Sequence, residues 1–324
     1  MRIIITGVAG FIGSTTAQHF LQRGHSVIGI DSFTTYYDRA RKEQNLHTAL
    51  TSKHFTFHKL DVARDLLDPV FAEADAVVHL AGQPGVRRSW MEFDNYLEAN
   101  VKGTREVLDA ALRHGIERVV YASSSSVYGD ASTYPTNEDH PTCPLSPYAV
   151  TKLAGEQLCH LYASERNLNT VSLRYFTVYG PRQRPDMLTH RLVEAAHCGS
   201  SVTVFGDGHQ VRDFTFVDDI ARANVLAATA DVRPGSVFNI SGGSSASVRE
   251  VVRGTERATG AHINLEYGNA ATGDVRETGG DCSKARRELD WEPTVSLTQG
   301  LRNHVDWYRA VTPAETAVRL TVQL

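Results

Sequence analysis

The chain has 324 residues, enough for one large domain or two ordinary ones around a substantial buried core. Its composition, 41% hydrophobic and 22% charged, is that of a globular protein, and a net charge of −4 argues against general nucleic-acid binding. Cys143, Cys159, Cys198 and Cys282 are far apart and lack metal-ligand spacing, so no metal site is expected and they read as reduced thiols of a cytoplasmic protein.

The first short β-rich run, Ile3–Thr6, leaves no room for a signal peptide before it. TGVAGFIG follows, with Gly7, Gly10 and Gly13 leading into a helix on which Ile12, Thr16 and Phe20 share a face with Ala17 and Leu21. Gly24 supplies its stop. Further strands are expected at Val27–Ile30, Phe55–Leu60, Ala76–Leu80, Arg118–Ser123 and Thr170–Tyr175, several of them continuously apolar as strands buried on both faces should be. Two longer helices are predicted over Asp94–His114 and Pro147–Arg166. This β-α-β alternation implies an α/β protein with a doubly wound, Rossmann-type parallel sheet. Beyond Tyr175 the regularity fades into Pro- and Gly-rich segments, then a strand-like Val237–Ile240. Ser241–Ser245 resembles a linker, but Ser247-Val248-Arg249-Glu250 reads as a capping box, so the segment is expected to be a strand-to-helix turn. No apolar run approaches the roughly 20 residues that span a bilayer, so no membrane partner is expected.

Three glycines between a strand and an amphipathic helix let the backbone turn sharply and approach a pyrophosphate, which the helix N-terminus stabilises. Asp31 ends the second strand, near the usual offset for an acid that binds an adenosine ribose. A carboxylate there repels a 2′-phosphate, which favours NAD over NADP. In SPYAVTK, Ser146 reads as an N-cap and Pro147 as the first helical residue, which puts Tyr148 in the first turn and Lys152 on its face. A free tyrosine titrates near pH 10, so a base role needs cationic help, which the Lys152 ammonium, a nicotinamide charge and the helix N-terminus would supply. The serine run Ser123–Ser126 follows the fifth strand, and ligands bind at the carboxyl ends of such strands. There Ser123 finishes the strand and Ser124 is placed to bond both Tyr148 and a substrate oxygen. The plain alternative is a polar turn whose hydroxyls satisfy backbone groups.

TGVAGFIG, Asp31, Asp61-Val62, HLAG (His79–Gly82), Asn100 in NVKGT, SSSSVYG, YAVTK, RYFTVYGPRQRPDM and GDGHQVRDFTFVDD together resemble the extended short-chain dehydrogenase/reductases, specifically the NAD-dependent epimerase/dehydratase family. The resemblance covers nearly the whole chain. It implies a Rossmann NAD domain at 1–175 with a return segment near 212–241, and a smaller α/β nucleotide-sugar domain formed by 176–211 and 242–312. It places Asp61 and Val62 near adenine and Asn100 on the nicotinamide side, extends cofactor contacts to Phe11, Ile12, Leu80, Ala81, Gly82, Ser123 and Tyr175, and makes Ser124, Tyr148 and Lys152 the catalytic triad. Within the family, DSFTTYYD, GQPGVRRSW and FTVYGPRQRPDM are most similar to UDP-glucuronate 4-epimerases, and Thr177 stands where UDP-galactose 4-epimerases tend to carry asparagine. Dehydratases carry Asp-Glu after the catalytic hydroxyl, and UDP-glucuronate decarboxylases a glutamate two positions after it. Ser125 and Ser126 stand there instead, which fits epimerisation without elimination or decarboxylation.

By family position Arg212 and Arg276 are the diphosphate candidates, and Arg184 and Arg87 those for a sugar carboxylate. The resemblance further implies a homodimer through the two long helices. Departures from the family pattern are Ala271-Thr272-Gly273-Asp274, Gly82 in place of alanine, Arg88 in place of tyrosine, and Gly279-Gly280-Asp281. The expected reaction is NAD-dependent, reversible C4 epimerisation of UDP-glucuronate. The alternatives are 4-epimerisation of another sugar such as UDP-glucose, UDP-glucuronate decarboxylation, or a silent NAD-binding protein on the same fold.

Overall fold

The computed structural model describes residues 1–269 and 275–312. The departure at 271–274 therefore lies outside the described residues. Six parallel strands come from the first 175 residues: β1 (Arg2–Thr6), β2 (Ser26–Ile30), β3 (Phe55–His58), β4 (Ala76–His79), β5 (Arg118–Ser124) and β6 (Thr170–Tyr175). After them come β7 (Thr177–Tyr179), β8 (Ser201–Phe205) and β9 (Val211–Phe216), and then β10 (Ser236–Ile240), which returns to pair parallel with β6 as the seventh strand of the main sheet. The order β10-β6-β5-β4-β1-β2-β3 reverses direction between β1 and β4, which opens a crevice at the strands' carboxyl ends. Two smaller sheets complete the fold: β9 lies between β7 and β11 (Ser245–Ser247), and β8 pairs with β12 (Asn264–Gly268).

Every residue of β5 and β6 is buried, so both faces of the sheet need cover. On one face lie α1 (Phe11–Gln22), flanked by α2 (Arg39–Leu50), and α8 (Val217–Thr229), where Phe20 and Ile220 pack with Ile3, Ile5 and Trp291. On the other, after the short α3 (Asp68–Phe71), lie α5 (Gly103–Arg113) and α6 (Pro147–Arg166), where Val107, Leu108 and Cys159 pack on Ile4, Val77 and Val119. Each fully buried aliphatic or aromatic side chain of these layers contributes about 1.5–3 kcal/mol. A third core joins α7 (Leu188–Cys198), α9 (Val248–Thr259) and α11 (Leu297–Val311) to β8 and β9, and α10 (Ser283–Leu289) packs Ala285 and Leu289 against the first.

The helix expected over Asp94–His114 is broken. The chain forms α4 (Phe93–Tyr96), then a π-helical turn Leu97–Lys102, then α5, which ends at Arg113. The wider turn accompanies an inward-facing Asn100, which binds a loop and α6 instead of solvent. Smaller shifts occur at strand ends: β3 stops at His58, β4 stops at His79, and β5 runs one residue further, to Ser124. The capping box is present, with Ser247 Oγ accepting from Glu250 N and Glu250 accepting from Ser247 N, so the Ser-Gly segment is a turn feeding α9. No helix among the described residues is long and apolar enough to cross a membrane.

Candidate active site

The glycine turn is built on close backbone contact. Gly7 has φ +70°, and a Cβ there would lie within 3.0 Å of the Leu80 and Ala81 backbone. A Cβ on Gly13 would come 2.1 Å from the Gly7 carbonyl oxygen. No side chain among the described residues caps the N-terminus of α1, and Gly10 to Gly13 line the crevice, a cradle that fits a pyrophosphate. Asp31, buried at the end of β2, accepts from Ala9 N at 3.1 Å and Phe33 N at 2.8 Å. Burial raises its carboxyl above the usual range, while Lys42, 3.9 Å away, and the two N–H groups pull it back. Both carboxylate oxygens are thus fixed in orientation at the wall of the crevice.

The serine run divides by direction. Ser123 donates to Glu156 at 2.6 Å, and Arg174 clasps Glu156 with bonds of 3.0 and 2.6 Å, so the Ser123 hydroxyl turns into a buried ion-pair network. Ser124 is the last residue of β5 and the N-cap of the 3₁₀ turn Ser125–Tyr128. Its Oγ accepts from Ser126 N at 3.2 Å, which leaves its own proton to donate, and it hydrogen-bonds the Tyr148 hydroxyl. Ser125 and Ser126 are half-buried in that turn.

Helix α6 begins as its sequence dictates. Ser146 Oγ accepts from Ala149 N at 3.1 Å, Pro147 occupies the first turn, and Tyr148 follows. Lys152, one turn on, is buried with its ammonium 4.8 Å from the Tyr121 ring centroid, and burial lowers its pKa to about 8. Burial raises the Tyr148 phenol, opposed by the Ser124 hydrogen bond and the Arg184 charge. The charge that lowers Tyr148 is that of Arg184, 36 residues downstream of the tyrosine, and not that of Lys152, from which the sequence led one to expect it.

A cavity of about 810 Å³ runs along this crevice. It is lined by Gly7, Gly10, Phe11, Ile12, Gly13, Asp31, Asp61, Val62, Leu80, Ala81, Gly82, Ser123, Tyr148, Lys152, Tyr175 and Arg184 among the residues singled out from sequence. Asn100 lies behind it, accepting from Gln83 N at 2.7 Å and donating to Thr151 Oγ1 at 3.0 Å, one residue before Lys152. A Cβ on Gly82 would reach 2.8 Å from Asn100 Oδ1, so the glycine lets the two approach. Thr177 and Ser124–Ser126 lie beyond the cavity lining, at the start of β7 and the end of β5. Arg87 is also outside it, exposed, with its guanidinium stacked 3.6 Å from the centroid of Phe205 at the end of β8. Arg212 and Arg276 meet each other, Arg212 Nη1 reaching the Arg276 carbonyl at 3.4 Å, also away from the lining.

Sequence reasoning passed over a buried chain of hydrogen bonds. Thr6 Oγ1 accepts from the N–H groups of Leu80 and Ala81, so its proton goes to His79 Nδ1 at 2.7 Å. Nε2–H of His79 then donates to Thr104 Oγ1 at 3.1 Å, which itself donates to the Asn100 carbonyl at 2.6 Å. The strand before the glycine turn is thereby tied to the π-turn that carries Asn100. Burial and the Lys152 charge hold His79 neutral, with a pKa of about 3. Polar Thr6 and His79 at the ends of apolar strands were the available signal.

Comparison with known proteins agrees with this geometry. Residues 3–241 match the NAD dependent epimerase/dehydratase family. An uncharacterized UDP-glucose epimerase of Bacillus subtilis is 39% identical over 97% of this chain and 100% of its own. A UDP-glucuronate 4-epimerase of Thermodesulfobacterium geofontis is 37% identical over 94% of this chain and 95% of its own. The structure of the UDP-glucuronic acid 4-epimerase from Bacillus cereus in complex with UDP-glucuronic acid and NAD superposes with a TM-score of 0.93, at 39% identity, covering 96% of this chain and 100% of the other.

Proposed function

The chain belongs to the NAD dependent epimerase/dehydratase family, and on that premise we propose that it is an NAD-dependent UDP-glucuronate 4-epimerase that forms UDP-galacturonate reversibly without decarboxylation. The observation that carries the reading is one cavity lined by the glycine cradle, Asp31, Tyr148, Lys152 and Arg184. NAD would be held by that cradle and Asp31 and would supply the hydride acceptor and donor for the sugar C4. Tyr148 removes the proton from the 4-hydroxyl and later returns it. Ser124 donates to the Tyr148 oxygen and, with Arg184, favours phenolate. Lys152 adds positive charge on the same helix face below its pKa of about 8. The 4-keto sugar turns between the two transfers and presents its other face.

A 4-keto glucuronate is a β-keto acid and loses carbon dioxide when its carboxylate aligns with the carbonyl. Ser125 and Ser126, beside Ser124, bring hydroxyls and no acid to that end of the site. Arg184, whose charge acts on Tyr148 from outside its helix, is assigned to the carboxylate, and Arg212 with Arg276 to the diphosphate. The placement of Arg87 on Phe205 fits the edge of the site better than its sugar end. Exposed Val150 and Leu161, three turns apart on one face of α6, and exposed Leu97 of the π-turn that packs on α6, favour a homodimer through these helices.

NMR of the purified protein with UDP-glucuronate is expected to show UDP-galacturonate accumulating to equilibrium. A UDP-pentose with carbon dioxide as the only products would overturn the reading, and so would turnover of UDP-glucose alone.

A further inference from the structure

Arg184 is enclosed, its side chain only 18% exposed, and a guanidinium in such a place requires a partner. Its partner belongs to its own loop: Nε and Nη2 donate to the two carboxylate oxygens of Asp186, each at 3.0 Å. This is the bidentate geometry in which arginine takes any carboxylate. Asp186 is 43% exposed and is held from the other side by the Tyr36 hydroxyl at 3.3 Å. Tyr36 is in turn packed between two cations, Arg88 at 4.6 Å and Arg184 at 5.5 Å from its ring centroid. Gly85, at φ +98°, makes room for it, since a Cβ there would lie 2.5 Å from the Tyr36 oxygen. Three loops thus converge on one ion pair at the wall of the catalytic cavity.

We propose that Asp186 is the resting counterion of Arg184, occupying the guanidinium fork when the sugar site is empty and giving it up to the carboxylate of an acidic sugar. The inference rests on the UDP-glucuronate reading above. An acidic sugar replaces one carboxylate by another and leaves Arg184 compensated, while Tyr36 retains the displaced Asp186. A neutral sugar offers no such replacement, so Asp186 stays. The exchange has a cost: Asp186 competes with the substrate, which keeps the grip on the carboxylate loose enough for the keto sugar to turn. Asp186 also tempers the field on Tyr148, which is faced by Ser124 and Tyr121 of β5, Lys152 of its own helix, Tyr96 of α4 and Arg184.

The test is calorimetric binding of UDP-glucuronate and of UDP-glucose to the NAD-loaded wild type and to Asp186→Asn, with Asp186→Ala as a second variant and NAD content as the check on folding. Removing the competing charge is expected to tighten UDP-glucuronate by about tenfold and UDP-glucose by less than about twofold. The acid limb of kcat/KM, which reports Tyr148, is expected to move to lower pH as the Arg184 charge is unmasked. Unchanged or weakened UDP-glucuronate binding, or equal changes for both sugars, would overturn the inference and leave the activity standing. A wild type that binds UDP-glucuronate no better than UDP-glucose would instead overturn the underlying reading.

Discussion

Tyr148 has opposing demands placed on it. Burial holds its phenol above the ordinary value, while the Ser124 hydrogen bond and the Arg184 charge work to lower it. Its use as a base therefore depends on groups from β5 and from the loop after β7 as much as on its own helix. Replacing the hydroxyl by hydrogen removes proton transfer and leaves the ring packing against Tyr96 in place. Tyr148→Phe is expected to lower kcat by about 10²–10⁴ while bound NAD, measured by absorbance after denaturation, stays at the wild-type ratio. Retained activity would remove Tyr148 from its role. Loss of NAD would mean that the ring holds the cofactor instead.

At the scale of elements, the π-turn Leu97–Lys102 is held where side chains from three places meet it. Thr104 is fully buried there and bridges His79 Nε2 to the Asn100 carbonyl. Thr104→Val preserves the shape but leaves a buried N–H without its acceptor, at a cost of about 1–3 kcal/mol in urea unfolding. Thr104→Ser keeps the hydroxyl and is expected to restore most of that loss. Equal losses in the two variants would assign the effect to packing. This turn also marks what the sequence could and could not convey. Strands such as β1 and β5 and the caps of α6 and α9 follow from local residues, so their positions were legible. The glycine turn and the Tyr148–Lys152 spacing were legible for the same reason. The break in the helix was not, because Asn100 turns inward toward Gln83 and Thr151, which only the folded chain brings near. The Tyr36–Asp186 bond was equally hidden, since its partners are 150 residues apart.

At the scale of the molecule, three histidines among the described residues are enclosed as neutral rings. His79 lies in the main sheet facing Lys152. His190 of α7 and His304 of α11 pack against each other with ring centroids 6.0 Å apart. His190 Nε2 accepts from Arg41 at 2.9 Å and its ring also faces Asp186 and Tyr308, while His304 adjoins Trp307. Both ring nitrogens of His304 lack a hydrogen-bond partner among the described residues. Burial is the first cause in each case, with pKa values of about 3, 4 and 3 for His79, His190 and His304. In the unfolded chain each titrates near 6.5, so between that pH and about 4 the unfolded state binds protons that the folded state refuses. Stability must then fall as pH falls below 6.5 and level off above it. Near pH 5 the uptake approaches three protons, a slope of about 4 kcal/mol per pH unit. Asp31, Glu138 and Asp213, whose carboxyls burial raises, act in the opposite sense, so the histidine share is read between pH 5 and 6.5 as the change that removing one ring makes. Urea unfolding across that window is expected to show the slope, and His304→Phe, which removes one of the titrating rings, to reduce it by one proton near pH 5. A slope that His304→Phe leaves unchanged would mean that the α7–α11 interface admits the charge, and that acid sensitivity arises elsewhere.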